Sequence, residues 1–305
     1  MYKNFQEIEK RIVAAREPYI IALAGSHDED ALVSVAHARK KGIIRAILIG
    51  KEEETRSILR SIGEDENHYE FFHEENEGMA AKKACQLVAQ KKAQIPMKGL
   101  MATASFLRPI LDKEEGFIPP KGLISQATVY EYRKENRLLL ISDCAINIAP
   151  NYEEKLKIIQ NAVRLGQQLG NPCPRVAVIA PVEVVNPNIQ STVDAAMLCR
   201  AGQRGQIKNC VIDGPLGLDN AISAESAKHK GIVSDVAGRP DILIMPDLGA
   251  GNILTKSLVY FGDNSPSSGT ITGTTVGVVM TSRSDTAENK YNSILVAVLQ
   301  SLSEA

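Results

Sequence analysis

Apolar residues along the chain fall into short blocks separated by longer stretches in which they recur three or four apart. The blocks YIIALA (19–24), AILIG (46–50), YEFF (69–72) and GLMA (99–102) predict strands. Between them lie DEDALVSVAHARKKG, KEEETRSILRSIG and NEGMAAKKACQLVAQKKA. Their acidic starts, basic finishes and, in two cases, closing glycine predict helices. Strand and helix taking turns implies βαβ units and a mainly parallel sheet with helices on both faces, which is the α/β class.

Two stretches break this rhythm. ISQATVYEY (124–132) and RLLLIS (137–142) are separated only by RKEN, which suits an antiparallel hairpin. Pro150 then interrupts the chain, Asn151 is placed to cap a long amphipathic helix, and RVAVIA (175–180) opens a second alternating series. That series runs through NCVIDG, DILIMP and the Gly/Ser/Thr-rich passage GDNSPSSGTITGTT to the strand VGVVMT and a helix from about 285 to 303. The expected division is a first α/β domain of 1–148 with 277–305 and a second of 149–276. The last strand and helix would cross back to complete the first lobe and create a cleft between lobes.

Lys and Arg number 35 against 36 Asp and Glu, so a net charge of -1 supplies no broad cationic field for nucleic acid or an anionic membrane. An anionic ligand must therefore be gripped locally. The longest apolar runs, 19–24 and 176–185, fall far short of the roughly 20 residues that span a bilayer. The start MYKNFQEIEKR lacks the apolar core of a secretory signal, so a cytoplasmic location is expected. Cys85, Cys144, Cys173, Cys199 and Cys210 form no CxxC pair and read as reduced packing residues. His27, His37, His68, His73 and His229 show neither an i,i+4 pair nor HExxH, and no metal site is expected.

Ligands of open parallel sheets bind beyond the carboxyl ends of strands, where loops enter helix N-termini. The richest such junction is VGVVMTSRSDTAENKYNSI, with Thr281, Ser282, Arg283, Ser284 and Asp285 between strand and helix. Arginine offers a forked pair of charge-assisted bonds, hydroxyls donate singly, and the helix end adds unpaired N–H groups, a combination suited to phosphate. Asp285 and Glu288 also read as an N-cap and its capping-box partner. In DILIMPDLGAGNILTKSLVYF, Gly249, Ala250, Gly251 and Asn252 allow either close ligand approach or tight strand-to-helix packing. KGLMATASFLRPIL carries Thr103 and Ser105, with Arg108 a turn beyond, or is an ordinary helix start. VIDGPLGLDNAIS, with Asp219 as expected N-cap, reads as structural.

These residues carry a resemblance. The segment DGPLGLDNAISAESAKHKGIVSDVAGRPDILIMPDLGAGNILTKSLVYF, then VVMTSRSDTAENKYNSI, with KGLMATASFLRPIL, NIAPNYEEKLKIIQNAV and VNPNIQSTVDAA upstream, resembles the butyryl branch of the phosphate acetyl/butyryltransferase family. The resemblance covers nearly the whole chain. It implies a two-lobed fold related to isocitrate and isopropylmalate dehydrogenases, with the active site in the cleft. It implies the reversible reaction of acyl-CoA with phosphate to give acyl phosphate and CoA, with no metal and no tightly bound cofactor.

Carried over position by position, the family's Ser-Arg pair falls on Ser282 and Arg283, and its small hydroxylic segment on Thr103. A carboxylate found two turns after that pair in acetyl-specific relatives corresponds to Asn289, with Glu288 beside it and Asp285 a turn earlier. Lys256 is the cation nearest to an arginine of the acetyl enzymes' Gly-Asn helix, and Gly249 stands where the butyryl branch often has an acidic residue. The expected catalytic set is thus Ser282, Arg283, Glu288 and Asp285, with Glu288 as base. The expected substrate contacts are Thr103, Arg108, Gly251, Asn252, Lys256 and Thr281.

The expected function is reversible transfer of a butyryl or branched short acyl group between CoA and phosphate. The alternatives are acetyl transfer, a metal-dependent decarboxylating dehydrogenase using Asp213, Asp219 or Asp247, and a non-catalytic CoA- or acyl-phosphate-binding regulator. The expected partners are small-molecule substrates and further copies of the chain, with a dimer as the minimal unit and neither nucleic acid nor membrane.

Overall fold

The computed structural model describes residues 1–14, 17–112 and 116–302. Two units compose it: Phe5–Gly122 with Pro266–Ala305, and Leu123–Ser265 with Met1–Asn4. The division thus falls at 122/123 and 265/266, where the sequence reading put it at 148/149 and 276/277. Strand pairing explains the first difference, because the hairpin after residue 122 joins the second unit's sheet.

The first unit opens with α1 (Phe5–Val13), β1 (Tyr19–Ala24), α2 (Glu29–Lys40), β2 (Ile44–Gly50), α3 (Glu52–Ser61), β3 (Glu70–His73), α4 (Glu77–Ala89), β4 (Ile95–Lys98) and α5 (Thr103–Ile110). Local chemistry sets these helix starts: the Asp28 carboxylate accepts from the Ala31 N–H and the Asn76 amide oxygen from the Met79 N–H. The strand expected at 99–102 is instead Ile95–Lys98, whose four residues are all buried. Gly99 and Leu100 form the loop that leaves it, their N–H groups donating to Ala24 and Gly25 carbonyls at 2.8 and 2.9 Å. A Cβ on Gly99 would sit 2.2 Å from the Gly25 oxygen, so this stitch between two strand ends requires glycine.

The second unit runs β5 (Ser125–Tyr132), β6 (Arg137–Ser142), α6 (Tyr152–Gln168), β7 (Arg175–Ile179), α7 (Gln190–Gln203), β8 (Val211–Leu216), α8 (Leu218–Ile222), α9 (Ala224–His229), β9 (Ile242–Ile244) and α10 (Leu248–Tyr260). Its strands lie in the order β5-β6-β9-β7-β8. The β5–β6 pair is antiparallel, as the short RKEN connection requires, and the other pairs are parallel. Asn151 caps α6 in a full capping box with Glu154. Its core joins Leu139, Ile141 and Leu243 to Ala177, Ile179 and Val236.

The chain then returns to the first unit through β10 (Ser267–Thr272), β11 (Val278–Val279) and α11 (Ala287–Leu302). The expected last residue of that helix, 303, lies outside the described residues. β10 occupies the Gly/Ser/Thr-rich passage, which hydropathy does not mark as a strand. Helix α11 supplies hydrogen-bond partners to this buried strand: Asn289 Oδ1 accepts from the Ser267 N–H, Ser293 Oγ from the Gly269 N–H, and Gln300 Oε1 from the Thr270 hydroxyl at 2.7 Å. The resulting strand order is β3-β2-β1-β4-β11-β10, parallel except for β10 against β11. α11 packs with α1 and α2 as one group of helices, and α4 packs with α5.

Candidate active site

Within the first unit, β1, β4 and β11 are parallel neighbours, so their carboxyl ends emerge on one side. The chain turns one way from β1 to β2 and the other way at β4, and such reversal points are where open α/β sheets bind ligands. Three loops meet there: Gly25–Asp28 after β1, Gly99–Ala102 after β4, and 280–286 after β11. Arg283 is exposed, and its Nε donates to the Met101 carbonyl at 3.3 Å, tying the β11 loop to the start of α5. The exposed Ser282 hydroxyl lies 3.1 Å from that of Ser284. Thr281 is buried and presents its carbonyl inward.

Underneath sits a residue that the sequence reading did not single out. Lys98, the last residue of β4, is 2% exposed and donates from Nζ to the carbonyls of Thr281 (3.2 Å) and Gly99 (3.4 Å). Burial lowers its pKa, Arg283 lowers it further, and Asp28 opposes the fall. Asp28 is itself claimed by Lys290 of α11, whose Nζ lies 2.9 Å from both carboxylate oxygens in a buried ion pair. The signal available in the sequence was a lysine closing a short strand and leading straight into a glycine.

The capping expectation is corrected here. Helix α11 starts at Ala287 and its cap is Thr286, whose hydroxyl accepts from the Asn289 N–H and whose carbonyl accepts from the Lys290 N–H. Asp285 lies one residue too early; its carboxylate instead accepts from the Ser282 N–H at 2.6 Å and closes the turn that carries Arg283. Glu288 is therefore the second helical residue, exposed, and not the partner in a capping box. Asn289 is engaged with β10.

Thr103 begins α5, exposed, two residues beyond the carbonyl that holds Arg283. Arg108 stands exposed in the last turn of the same helix, roughly 7.5 Å along its axis from Thr103 at 1.5 Å per residue. Gly251, Asn252 and Lys256 belong to the second unit. A Cβ on Gly251 would meet the Asp143 carbonyl at 2.2 Å, so this glycine serves close helix packing. Asn252 donates to the Cys144 carbonyl at 3.3 Å, Asp247 caps α10 through the Ala250 N–H, and Lys256 is exposed.

Asp219 is not an N-cap: it lies inside α8, whose cap position is Gly217, and pairs with Lys230 at 3.0 Å. Among the described residues, Asp213, Asp219 and Asp247 join no cluster of three or more metal-ligating side chains. No described helix is long and apolar enough to cross a membrane. Of the cysteines, Cys173 is exposed rather than packed, whereas burial pushes Cys85 and Cys199 up to about 12.

A family model described as phosphate acetyl/butaryl transferase matches residues 56–298. The chain belongs to the phosphate acetyl/butaryl transferase family. It is 46% identical to a phosphate butyryltransferase of Clostridium acetobutylicum over 98% of each chain. It is 36% identical to a phosphate acetyltransferase of Thermotoga maritima, covering 96% of this chain and 99% of the other. Among solved structures, a branched-chain phosphotransacylase from Enterococcus faecalis V583 superposes with a TM-score of 0.80 at 31% identity, over 92% of this chain and 98% of that one. The members of this family named here all transfer an acyl group.

Proposed function

We propose that this acyltransferase moves butyryl or branched short-chain groups between CoA and phosphate in preference to acetyl, in both directions and by direct attack in a ternary complex. The observation that carries the acyl choice is the chain's greater identity to a butyryltransferase than to an acetyltransferase. A free thiol with a pKa near 8.5 is only a few per cent ionised at neutral pH, so a carboxylate is useful to it. The Glu288 carboxylate takes the CoA thiol proton, sulfur attacks the acyl phosphate carbonyl, and the carbon–oxygen bond to phosphate breaks. In reverse, a phosphate oxygen attacks the thioester, and the departing thiolate regains its proton from Glu288.

Arg283 holds the phosphate and offsets its charge as it leaves, with Nε already fixed on Met101. Ser282 donates to the phosphate or the developing oxyanion, Asp285 holds the turn, and Thr103 and Thr281 flank it. Asn252 and Lys256, four residues apart on α10, are further substrate contacts. The substrates are free acyl-CoA, CoA, phosphate and acyl phosphate, no cofactor is tightly bound, and the enzyme works in the cytoplasm as a homo-oligomer built on a dimer. Light scattering on the purified protein tests the last point, and a monomer would refute it.

Thiol release from acetyl-, butyryl- and isobutyryl-CoA in the presence of phosphate and excess EDTA tests the rest. Turnover fastest with a four-carbon acyl group is expected. The margin over acetyl is bounded by about 1 to 3 kcal/mol per methylene in an apolar pocket. A higher kcat/KM for acetyl-CoA would overturn the acyl choice. Activity lost to chelator and restored by Mg²⁺ would favour the dehydrogenase alternative, and ligand binding without turnover would favour the regulator.

A further inference from the structure

Lys98 is a buried cation whose charge is left uncompensated by the groups that touch it. Its polar contacts among the described residues are two backbone carbonyls, those of Thr281 and Gly99, which accept hydrogen bonds but carry no net charge. The two carboxylates that act on it are engaged elsewhere, Asp28 by Lys290 and Asp285 by the Ser282 N–H, while Arg283 and Lys290 add positive charge nearby. A buried charge without an opposite charge is costly, and a protein that keeps one gains most when an anion arrives beside it. The Thr281 carbonyl that Lys98 holds belongs to the residue immediately before Ser282 and Arg283, so the ammonium both anchors their turn and lies behind it.

We propose that Lys98 is a positioning residue for the phosphate substrate: it fixes the Thr281 carbonyl beneath the Ser282–Arg283 turn and supplies a second positive charge that an anion on that turn compensates. This inference rests on the reading that the turn receives phosphate. It predicts an asymmetric kinetic effect, because CoA and the acyl chain gain nothing from charge at this point. It also predicts that the charge is a burden to the empty protein, so removing it does not weaken the fold.

Lys98→Gln, which retains an N–H donor but no charge, and Lys98→Met, which retains neither, test this beside Arg283→Ala in the full chain. For both lysine variants, the KM for phosphate should rise about tenfold or more, the range of one charge-assisted hydrogen bond. The KM for butyryl-CoA should stay within twofold, and the ligand-free unfolding midpoint of Lys98→Gln, which keeps a donor for the carbonyls, should not fall. The upward shift of that midpoint on adding phosphate should shrink in both. A Lys98→Gln enzyme whose KM for phosphate stays within twofold of the parent, or in which both KM values move together, would overturn the proposal. Lys98→Met that fails to fold would show a purely structural lysine and overturn it as well. The control separates the two failures: if Arg283→Ala also leaves the phosphate KM unchanged, the phosphate assignment of the turn is at fault, whereas a shift there and none in Lys98→Gln removes Lys98 alone.

Discussion

The β11–α11 and β9–α10 junctions look alike in sequence: each runs from a short apolar strand through small and polar residues into a helix. In the second unit, local structure engages three of the conspicuous residues. Asp247 caps the helix, Gly251 lies against the Asp143 backbone, and Asn252 ties to Cys144. In the first unit, Thr286 caps the helix and Asp285 closes the turn, yet Ser282 and Arg283 stay exposed above a buried lysine. A strand-to-helix junction thus becomes a candidate for chemistry when residues are left over after capping and packing are satisfied.

Four substitutions press on that contrast. The largest effect is expected from Glu288→Gln, which should lower kcat by roughly 10² to 10⁴ if this carboxylate moves the thiol proton, with the unfolding curve unchanged. Near-normal turnover would mean that the thiol is activated without it. Arg283→Ala should cost about 2 to 4 kcal/mol in transition-state stabilisation, read from kcat/KM, with Lys restoring only part because it lacks the planar fork.

At the other junction the sign of the contrast reverses. Gly251→Ala should leave the chemistry of the first unit alone and destabilise the protein by about 1 to 3 kcal/mol in urea unfolding, since the new methyl group has no room beside Asp143. A fully stable Gly251→Ala protein would show that the glycine is kept for a ligand after all. The smallest effect separates cap from chemistry inside the first junction. Thr286→Ala should lose about 1 kcal/mol of stability and keep its kcat/KM, and a fall in rate without a fall in stability would move Thr286 into the site.

Much of this was legible without coordinates. Alternating blocks and amphipathic stretches located β1, β2, β3, β5 and β6 to within a residue or two, because a buried strand must be apolar and a surface helix must be two-faced. The Asn151 cap was readable for the same kind of reason, since its chemistry is local. β10 was not, because a strand of serine and threonine becomes buried only when a helix distant in sequence supplies its hydrogen-bond partners. The start of α11 was misplaced by one residue: Asp285 and Thr286 are both good caps, and only the path of the turn decides between them.

The sequence by itself determined the α/β class, the family and the Ser-Arg pair, because these rest on residue order and on short-range periodicity. The tertiary structure decided that Thr286 and not a carboxylate caps α11, that Gly251 is needed for packing, and that Lys98, among the described residues, hydrogen-bonds only to backbone carbonyls. Those outcomes depend on groups far apart in the chain, as with Lys98 and Thr281 or Asp28 and Lys290, whose approach no local pattern records. Burial then sets an ordinary lysine among backbone carbonyls and lowers its pKa, and burial is a property of the packed fold.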